Sequence, residues 1–451
     1  MSAADAHSSP DQPGALKLSI GLSNHALCTR CGSCLGVCPV DAIRLTDDAF
    51  PRLVPDACTG CGLCGAVCPG QAVDFGRLGQ QVFGVSPEGA GFDGRTVSTL
   101  VGYATDERLR QGGAGGGVVT GLLAHLLSRG EVDGCLVTRM RSDRPWEGEP
   151  FIARTVAELR ASQGSRYHVI PVNTLWRTLR RETKPGRYAA ALLPCQTHGF
   201  RNLQREAPDL AARITHVIGL FCGGALERNL PIEMLAVRGI RPGDIRDFQL
   251  RGGEWPGQMR AVMNSGEARP LHYSNYKDGA YNYFTSLYMP ERCQTCIDGS
   301  NEFSDVSVSD AWTRDAQGEY KFRSHSRILV RTERGAALVR AAVEAGNLAV
   351  TDVSVDPSYR THRAQTKRKG ALAPLRVARW RRAGRAVPVY DRGPPPDATW
   401  RERMTERLAS ATLRAGTWRP FRMALMGFLT SRYAIPLIKI RLYLKKRKYT
   451  R

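Results

Sequence analysis

The chain has 451 residues, which is enough for two or three domains with buried cores. Its formal net charge is +22, but residues 360–451 carry 25 Lys and Arg against 4 Asp and Glu, so this segment alone supplies +21. The remainder is nearly neutral, so the high net charge of the chain says nothing about an active site in its body. Residues 1–18 are expected to be disordered. Because residues 1–14 are polar and lack the apolar core of a signal peptide, a cytoplasmic location is expected.

The first cysteines of the chain follow a repeated spacing. The pattern C-x2-C-x2-C-x3-C-P occurs twice between residues 28 and 69. It is typical of bacterial ferredoxins with two [4Fe-4S] clusters, in which the fourth cysteine of each run serves the other cluster. The spacing therefore predicts a two-cluster ferredoxin-like domain at 19–80 with two ligand sets: Cys28, Cys31, Cys34 and Cys68 in the first, and Cys58, Cys61, Cys64 and Cys38 in the second.

These cysteines have two alternative interpretations. Structural zinc sites also use C-x2-C pairs, but zinc does not require a repeated fourth cysteine followed by proline. A disulfide framework suits a secreted protein, which residues 1–14 do not indicate. The loops contain small residues that are expected to let backbone amides approach the sulfurs and so tune the reduction potential: Gly32, Gly36, Gly60, Gly62 and Gly65.

Between residues 101 and 355, strand-like and helix-like segments alternate, which predicts an α/β domain. The first predicted helix, 118–128, follows a glycine-rich turn at 112–117. Glycine amides at a helix start can approach an anion closely, so this turn resembles a phosphate cradle. It matches neither the dinucleotide fingerprint nor the P-loop, and a close strand-to-helix turn without a ligand is the alternative. Further helices are predicted at 172–181 and 335–345, and strands at 132–140, 188–193, 214–221, 305–308 and 327–331.

Five cysteines lie outside the ferredoxin pattern. Cys135 lies within an apolar strand and is expected to be a buried core thiol. Cys195 and Cys222 follow predicted strands, while Cys293 and Cys296 form a C-x2-C pair. Two strand ends and one pair can converge on a third cluster, although cysteines at strand ends are also common as core residues.

Several short motifs then occur in order, and together they carry a family resemblance. They lie at 101–107, 112–123, 164–167, 194–196, 219–222, 293–296 and 305–312. In these motifs the chain resembles the coenzyme F420 hydrogenase/dehydrogenase beta-subunit family over roughly residues 101–355. With the cysteine repeat in front, it is similar to the members that have a fused two-cluster ferredoxin domain.

The resemblance implies an oxidoreductase with an α/β (α+β) flavin-binding core at 81–358. In this family a [4Fe-4S] cluster passes single electrons to FAD, which then reduces a small organic acceptor. A flavin suits this position because it converts between one-electron clusters and two-electron hydride acceptors. Carried over by position, the third cluster would be held by Cys195, Cys222, Cys293 and Cys296, and the flavin by Gly116, Gly117, Thr120, Ser165 and Tyr167.

The sequence does not identify the electron acceptor, and it does not decide whether the chain acts alone or as a subunit of a complex. The best-known members of the family reduce coenzyme F420, whereas relatives reduce chlorophyll-type pigments or are grouped with polysaccharide synthesis. Three functions remain: a reductase fed by ferredoxin or a similar donor, an electron-transfer subunit of a larger hydrogenase or dehydrogenase, and a relay without flavin. His198, one helical step after Cys195, is a candidate catalytic proton donor near the flavin, and a histidine satisfied by backbone is the alternative.

The tail at 359–451 is predicted to be basic and helical, and amphipathic near its end. Residues 376–385 and 445–448 are basic clusters, and residues 421–444 interleave charged with apolar side chains. Four charges and Pro436 argue against a membrane-spanning helix. The pattern favours a helix lying on an anionic membrane surface, which would hold the protein at the inner face of the membrane. A solvated tail and a docking arm for an acidic subunit are the alternatives, and nucleic acid is the least favoured partner.

Overall fold

The computed structural model describes residues 18–86, 91–276, 281–315, 317–355, 366–393 and 398–446. Residues 1–17 of the segment 1–18, which is expected to be disordered, lie outside the described residues. Residues 447 and 448 of the basic cluster at 445–448 also lie outside them.

The ferredoxin-like part consists of short elements arranged around its cysteines. Gly32 and Gly62 occupy equivalent positions in the two runs, with φ of 88° and 76°, and each precedes a short helix. A side chain at these left-handed positions would strain the backbone, which explains the glycines. The elements are helices α1 (Ser33–Val37), α2 (Leu63–Ala66) and α3 (Phe75–Phe83), and strands β1 (Ile43–Leu45), β2 (Pro51–Leu53) and β3 (Ala72–Val73).

A mixed eight-stranded sheet forms the centre of the α/β core. Its four middle strands are parallel, and antiparallel strands flank them on both sides. The strand order is β14-β4-β13-β12-β8-β7-β5-β6. A separate three-stranded antiparallel sheet has the order β11-β10-β9. The strands are β4 (Ser98–Ala104), β5 (Gly134–Met140), β6 (Gly148–Ala153), β7 (Tyr188–Leu192), β8 (Ile214–Leu220), β9 (Ile245–Gly252), β10 (Gln258–Met263), β11 (Ala268–Pro270), β12 (Val306–Asp310), β13 (Ser326–Val330) and β14 (Leu348–Asp352).

Helices cover both faces of this sheet, and the strand sequences show why. Successive side chains of a strand point to opposite faces, and Ala189 and Ala190 of β7 accordingly belong to two different apolar cores. The first core contains Leu122 of α5, and the second contains Trp176 of α7 and Phe200 of α8. The helices are α4 (Glu107–Gly112), α5 (Val118–Ser128), α6 (Val156–Leu159), α7 (Trp176–Arg181), α8 (Pro194–Glu206), α9 (Pro208–Ala212), α10 (Leu230–Val237), α11 (Tyr281–Leu287), α12 (Glu291–Gln294) and α13 (Glu333–Glu344).

Most predicted elements of the core are present. The helix predicted at 118–128 has those bounds, and each predicted strand overlaps an observed one. The helix predicted at 172–181 begins instead as a 3-10 turn, Val172–Leu175, before α7. Cys135 is fully buried in β5, as expected for a core thiol. The separate sheet at 245–270 was not predicted, because its strands are rich in charged and polar residues and show no clear apolar alternation.

The basic tail is folded against the rest of the chain. Its strand pairs in parallel with β3 of the ferredoxin-like part. The carboxylate of Asp391, just after this strand, accepts hydrogen bonds from the backbone N–H groups of Phe75 and Gly76 at 2.9 and 2.7 Å. The elements are α14 (Ala373–Arg382), β15 (Val389–Tyr390), α15 (Trp400–Gly416), α16 (Arg419–Leu429) and α17 (Ile435–Lys446).

Buried ion pairs and apolar contacts hold this tail in place. Arg422 of α16 donates to both carboxylate oxygens of Glu233 on α10, at 2.9 and 2.7 Å. Burial alone would raise the pKa of Glu233, but the hydrogen bonds from Arg422 lower it below its ordinary value. Met426 is completely buried in a third core that includes Phe284 and Tyr288. At these residues the tail packs on the body of the protein instead of extending into solvent, because Arg422 pairs with Glu233 and Met426 is buried.

The hydropathy of the tail is concentrated in its last two helices. Within the described residues, no single helix is both long and apolar enough to cross a membrane. The pair Arg419–Leu429 and Arg432–Leu444 meets that criterion together by length and composition, with a bend of 71° between its members.

Candidate redox site

The ferredoxin cysteines gather in the two groups that their spacing predicts. Burial and then the neighbouring thiols of Cys68, Cys31 and Cys28 raise the pKa of Cys34 well above its ordinary value. The four cysteines of the second set line one small cavity of about 20 Å³, together with apolar side chains: Cys38, Cys58, Cys61 and Cys64. These cysteines are free thiols and do not pair as disulfides.

Hydrogen-bond donors reach the sulfurs of these groups. Backbone N–H groups donate to Cys28 at 3.4 Å, to Cys38 at 3.2 Å and to Cys68 at 3.4 Å. At Gly21, a Cβ atom would lie 2.6 Å from the Cys28 sulfur, so the bare backbone leaves room there. Donors aimed at sulfur stabilise thiolates and raise cluster potentials. The donor set therefore fits [4Fe-4S] clusters.

Two of the loop glycines also allow a close contact with the core domain. A Cβ atom at Gly36 would overlap the carbonyl oxygen of Asn173, and one at Gly32 would overlap Thr174. Both glycines thus allow α1 to lie directly on the turn before α7, in the α/β core. The expectation that their backbone amides approach the sulfurs stays a prediction, since these contacts concern the side-chain direction of the two glycines.

A third group of cysteines assembles from three distant segments of the core. Cys195 opens α8, Cys222 follows β8, and Cys293 and Cys296 lie in and just after α12. Burial raises the pKa of Cys195 well above its ordinary value, and the thiols of Cys31, Cys293, Cys222 and Cys296 add to the rise in that order. The structure therefore brings the four predicted ligands together, and it places Cys31 of the ferredoxin-like part beside them.

No three His, Cys, Asp or Glu side chains in the described ranges lie close enough to hold a single metal ion. A four-iron cluster spreads its thiolates over different irons, so this finding does not test the three thiol groups.

The junction between ferredoxin-like part and core is tightly built. Asn173 donates its backbone N–H to the Cys31 carbonyl at 3.1 Å and its side-chain amide to the Ser33 hydroxyl at 2.9 Å. Arg30, which is almost fully buried, donates to both carboxylate oxygens of Glu227 at 2.8 Å. The groups of Cys31 and Cys195 are therefore held at a fixed separation.

A lysine from the tail lies beside the third thiol group. Lys369 is 2% exposed. Burial would lower its pKa, but the thiols of Cys296, Cys222 and Cys293 raise it above its ordinary value. A hydrogen bond to Cys296 adds to this effect of the sulfurs. No sequence pattern pointed to this residue, because a single lysine in a basic segment does not stand out.

A large cavity of about 620 Å³ lies next to this group, and Cys222 is part of its wall. Such a volume is in the range of cofactor and ligand sites. Of the five residues that the resemblance assigns to a flavin, four line the cavity: Gly117, Thr120, Ser165 and Tyr167. Gly116 lies behind the wall instead, where its backbone N–H donates to the Ser326 hydroxyl at 3.1 Å.

The cavity wall has the groups that a flavin nucleotide needs. Gly117 (φ 72°) caps α5, so the helix start, with its unpaired N–H groups, faces the cavity. Tyr276 stacks on Tyr167 with 5.2 Å between ring centroids, and its ring centroid lies 6.4 Å from that of Trp312. All three side chains line the cavity. An anion fits at the helix start and a planar ring against the aromatic side chains. The residues present therefore fit FAD.

The cavity wall is also rich in arginine, although Arg327 is neutralised by Asp93 through hydrogen bonds of 3.2 and 2.8 Å. Asp310 is its one acidic lining residue among the described ranges, and Arg251 neutralises it through two hydrogen bonds of 2.8 Å. Two of its basic residues come from the tail: Arg368, which donates to the Gly223 carbonyl at 3.4 Å, and Arg441 of α17. The remaining arginines of the wall are Arg166, Arg314 and Arg327.

The histidine at the cavity is His168, not the predicted His198. His198 is buried between Phe75 and Phe303 and lies 3.0 Å from the Asp298 carboxylate, outside the cavity wall. His168 is 3% exposed, and its Nε2 accepts a hydrogen bond from Gly148 at 2.6 Å. Burial lowers the pKa of His168 to about 3, so the ring is neutral and Nδ1 carries the proton. This Nδ1 has no hydrogen-bond partner among the described residues.

The sequence did contain a signal for His168, because it directly follows the motif at 164–167. For His198, proximity to Cys195 along the chain was misleading, since its ring packs in an aromatic cluster outside the cavity wall. The role of His198 as a proton donor at the flavin is thus not supported by its position.

Comparisons with known proteins agree with this architecture. A family model described as coenzyme F420 hydrogenase/dehydrogenase, beta subunit, matches residues 99–177 with its N-terminal part and 186–356 with its C-terminal part. A 4Fe-4S dicluster domain model matches residues 22–75. The two beta-subunit matches together cover more than half of the chain and stop before the tail.

Curated relatives include the coenzyme F420 hydrogenase subunit beta of Methanothermobacter thermautotrophicus, 26% identical over 54% of this chain and 80% of that protein. A subunit of the F(420)H(2) dehydrogenase of Methanosarcina mazei is 24% identical over 69% of this chain and 81% of that protein. The coenzyme F420-dependent sulfite reductase of Methanocaldococcus jannaschii is 26% identical over 70% of this chain, which spans only 46% of that larger protein.

Among solved structures, a chain of the F420-reducing [NiFe] hydrogenase complex from Methanosarcina barkeri has the same fold. The TM-score is 0.53 at 20% identity, over 66% of this chain and 97% of the other. The resemblance deduced from the motifs is confirmed by the family matches. The chain is an iron–sulfur oxidoreductase that belongs to the coenzyme F420 hydrogenase/dehydrogenase beta-subunit family.

Proposed function

We propose that this protein passes electrons from a ferredoxin-type donor through three [4Fe-4S] clusters to FAD, and from there to a small organic hydride acceptor. One observation carries this proposal: the three thiol groups form a continuous series that ends at the wall of the large cavity. Cys31 belongs to one group and neighbours Cys195 of the next, and Cys222 of that group lines the cavity.

Electrons would enter at the second ferredoxin set. Cys61 is the exposed cysteine of the described chain, whereas the other thiols are buried or half-buried. A soluble one-electron donor needs close approach to a cluster near the surface, and this set offers it. From there the three thiol groups follow one another from the protein surface, through the junction of the ferredoxin-like part with the core, to the cavity wall.

FAD would supply the conversion between one-electron delivery and two-electron reduction of the acceptor. The chain's part is to bind and orient it. The turn of Gly117 and the start of α5 suit the phosphates, and Tyr276 and Trp312 suit a planar ring. The unpartnered Nδ1–H of His168 is available to donate a hydrogen bond to a bound ligand.

The acceptor is proposed to be coenzyme F420 or another anionic hydride acceptor. The arginines of the wall would attract negative charge, and two of them, Arg368 and Arg441, lie outside the segment that the family models match. Acceptor choice in this protein is thus expected to depend partly on its own tail.

The central test is the substitution Cys222→Ser in protein purified without oxygen. We expect the ferredoxin clusters to stay reducible by dithionite while reduction of the flavin by a reduced ferredoxin slows by at least about tenfold, because the group next to the cavity is lost. Flavin absorbance in stopped-flow experiments measures the rate. Cys135→Ser is the matched control, since Cys135 is a core thiol away from these groups. Equal flavin reduction in both variants would contradict the proposed route.

Two alternative functions are also to be tested: a subunit of a larger complex and an electron relay without flavin. The names of the hydrogenase relatives describe them as subunits, which favours a role within a larger complex. Turnover of an acceptor by the isolated chain with reduced ferredoxin distinguishes the stand-alone reductase from such a subunit. A relay without flavin predicts that no flavin is released when the anaerobically purified protein is denatured by heat.

A further inference from the structure

The last two helices of the tail each carry an apolar stripe on the side away from the protein. In α17, Leu437, Ile440 and Leu444 are 55%, 57% and 54% exposed. Their spacing of three and four residues places them on one helix face. Ile438 of the same helix is buried, and by its position along the helix it lies on the opposite side. The face that packs on the protein and the face that carries the stripe are therefore different.

Helix α16 repeats this arrangement. Phe421 and Phe428 are exposed and seven residues apart, hence on one face. Arg422 and Met426 are buried against the body of the protein. Each helix thus packs on the protein with one face and exposes large apolar side chains on the other. Within the described ranges, no segment of the chain covers these stripes.

We infer that the outer face of α16 and α17 binds the surface of an anionic lipid bilayer. The apolar stripes supply side chains that can enter the interface, and the two helices together are apolar enough to span a membrane by composition while their 71° bend prevents a straight crossing. A surface helix with an apolar face flanked by basic residues is the form of interfacial membrane anchors.

Charge decides between a bilayer and other occupants of this face. Residues 407–451 contain no Asp or Glu, and Lys439 of α17 is exposed. Pairing with a second copy across a twofold axis would bring the same basic surface against itself, which is unfavourable. Anionic headgroups complement it, with each basic residue near the surface adding to the attraction.

The surface lies beyond the segment that the family models match, which ends at residue 356. Its role is therefore independent of the proposed electron route. Helix α17 also contributes Arg441 to the cavity wall, so the proposed docking face and the cavity share one helix.

Deletion of the tail is an unsuitable test, because it would remove Met426 and Arg422 from their buried contacts. Substitutions of exposed residues avoid this problem. The test is co-sedimentation of the anaerobically purified full chain with vesicles of equal parts phosphatidylglycerol and phosphatidylcholine, and with vesicles of phosphatidylcholine alone. The variant is the triple substitution Leu437→Ser, Ile440→Ser and Leu444→Ser. Val97→Ser is the control, since Val97 is 53% exposed and lies in the core domain.

We expect the unsubstituted protein to bind the anionic vesicles at low salt, and to bind weakly at high salt or to neutral vesicles. The triple variant should lose at least about tenfold in bound-to-free ratio, whereas Val97→Ser should not change it. Lys439→Glu should also weaken binding, with Arg340→Glu on α13 as its control.

Three outcomes would overturn the inference. The first is no binding of the full chain to anionic vesicles at low salt. The second is equal binding by the unsubstituted protein and the triple variant. The third is a dimer in solution that the triple variant converts to a monomer, because a second copy would then be the occupant of this face.

Discussion

The ferredoxin-like part and the α/β core both gather cysteines, but they do so in different ways. In the ferredoxin-like part, eight cysteines lie within residues 28–68, and short loops with glycines at repeated positions hold them. In the core, Cys195, Cys222, Cys293 and Cys296 come from three segments spread over about a hundred residues. The first arrangement depends on local spacing, and the second depends on a finished sheet.

This difference has a consequence for stability. The ferredoxin groups are expected to form wherever their own loops fold, since most of their ligands are neighbours in sequence. The third group needs β7 and β8 to place Cys195 and Cys222 at adjacent strand ends and α12 to bring the other pair. It also receives Lys369 from the tail, so three parts of the protein meet at it.

The strongest test of this comparison is Cys195→Ser. We expect about twelve iron atoms per chain in the unsubstituted protein and about eight in the variant, because one four-iron set is lost while the local ferredoxin sets stay intact. Iron and acid-labile sulfide analysis of anaerobically purified protein measures this. Cys135→Ser should retain all of the iron. Loss of all iron in Cys195→Ser would contradict the independence of the ferredoxin sets.

A second test separates the ferredoxin-like part from the core without touching a thiol. In Gly36→Ala the added methyl group would overlap the Asn173 carbonyl oxygen, so the junction must shift while the cluster loops keep their ligands. We expect unchanged iron content and at least about tenfold slower flavin reduction by ferredoxin, since a shift of the junction lengthens the path between clusters.

Gly243→Ala is the control for this substitution, because a Cβ atom there meets no neighbour and the backbone is not left-handed. If Gly36→Ala loses the ferredoxin iron itself, the glycine serves the cluster loops, and our assignment of it to the junction is wrong.

The smallest effect concerns the tail's contribution to the third group. Lys369→Met removes a buried positive charge beside three thiols. A positive charge favours the reduced, more negative cluster, so its removal should lower the reduction potential of the third cluster, on the order of 100 mV. Redox titration followed by electron paramagnetic resonance measures the potentials. The ferredoxin potentials should not change, and neither should any potential in Lys184→Met, an exposed lysine. An unshifted third potential in Lys369→Met would show that the ammonium is screened from the cluster.

Sequence spacing determined the ferredoxin-like part of this protein, because its cysteine runs, turn glycines and short helices are all set by neighbours a few residues apart. Apolar periodicity also determined five of the eight strands in the central sheet and three of the core helices, because each buried position on a sheet or helix face requires an apolar residue. The motifs around Gly117, Thr120, Ser165 and Tyr167 predicted the residues that line the cavity, although Gly116 turned out to lie behind its wall.

Tertiary structure alone decided which isolated residues meet. Lys369 and Arg441 are ordinary members of a basic segment in the sequence, and only the folding of the tail over the core brings one to the third thiol group and the other to the cavity. His198 was the histidine predicted from its distance to Cys195 along the chain, but the packing of distant segments places His168 in the cavity wall instead. The physical reason is the same in each case: a contact between distant segments depends on how whole elements pack, and no local pattern records it.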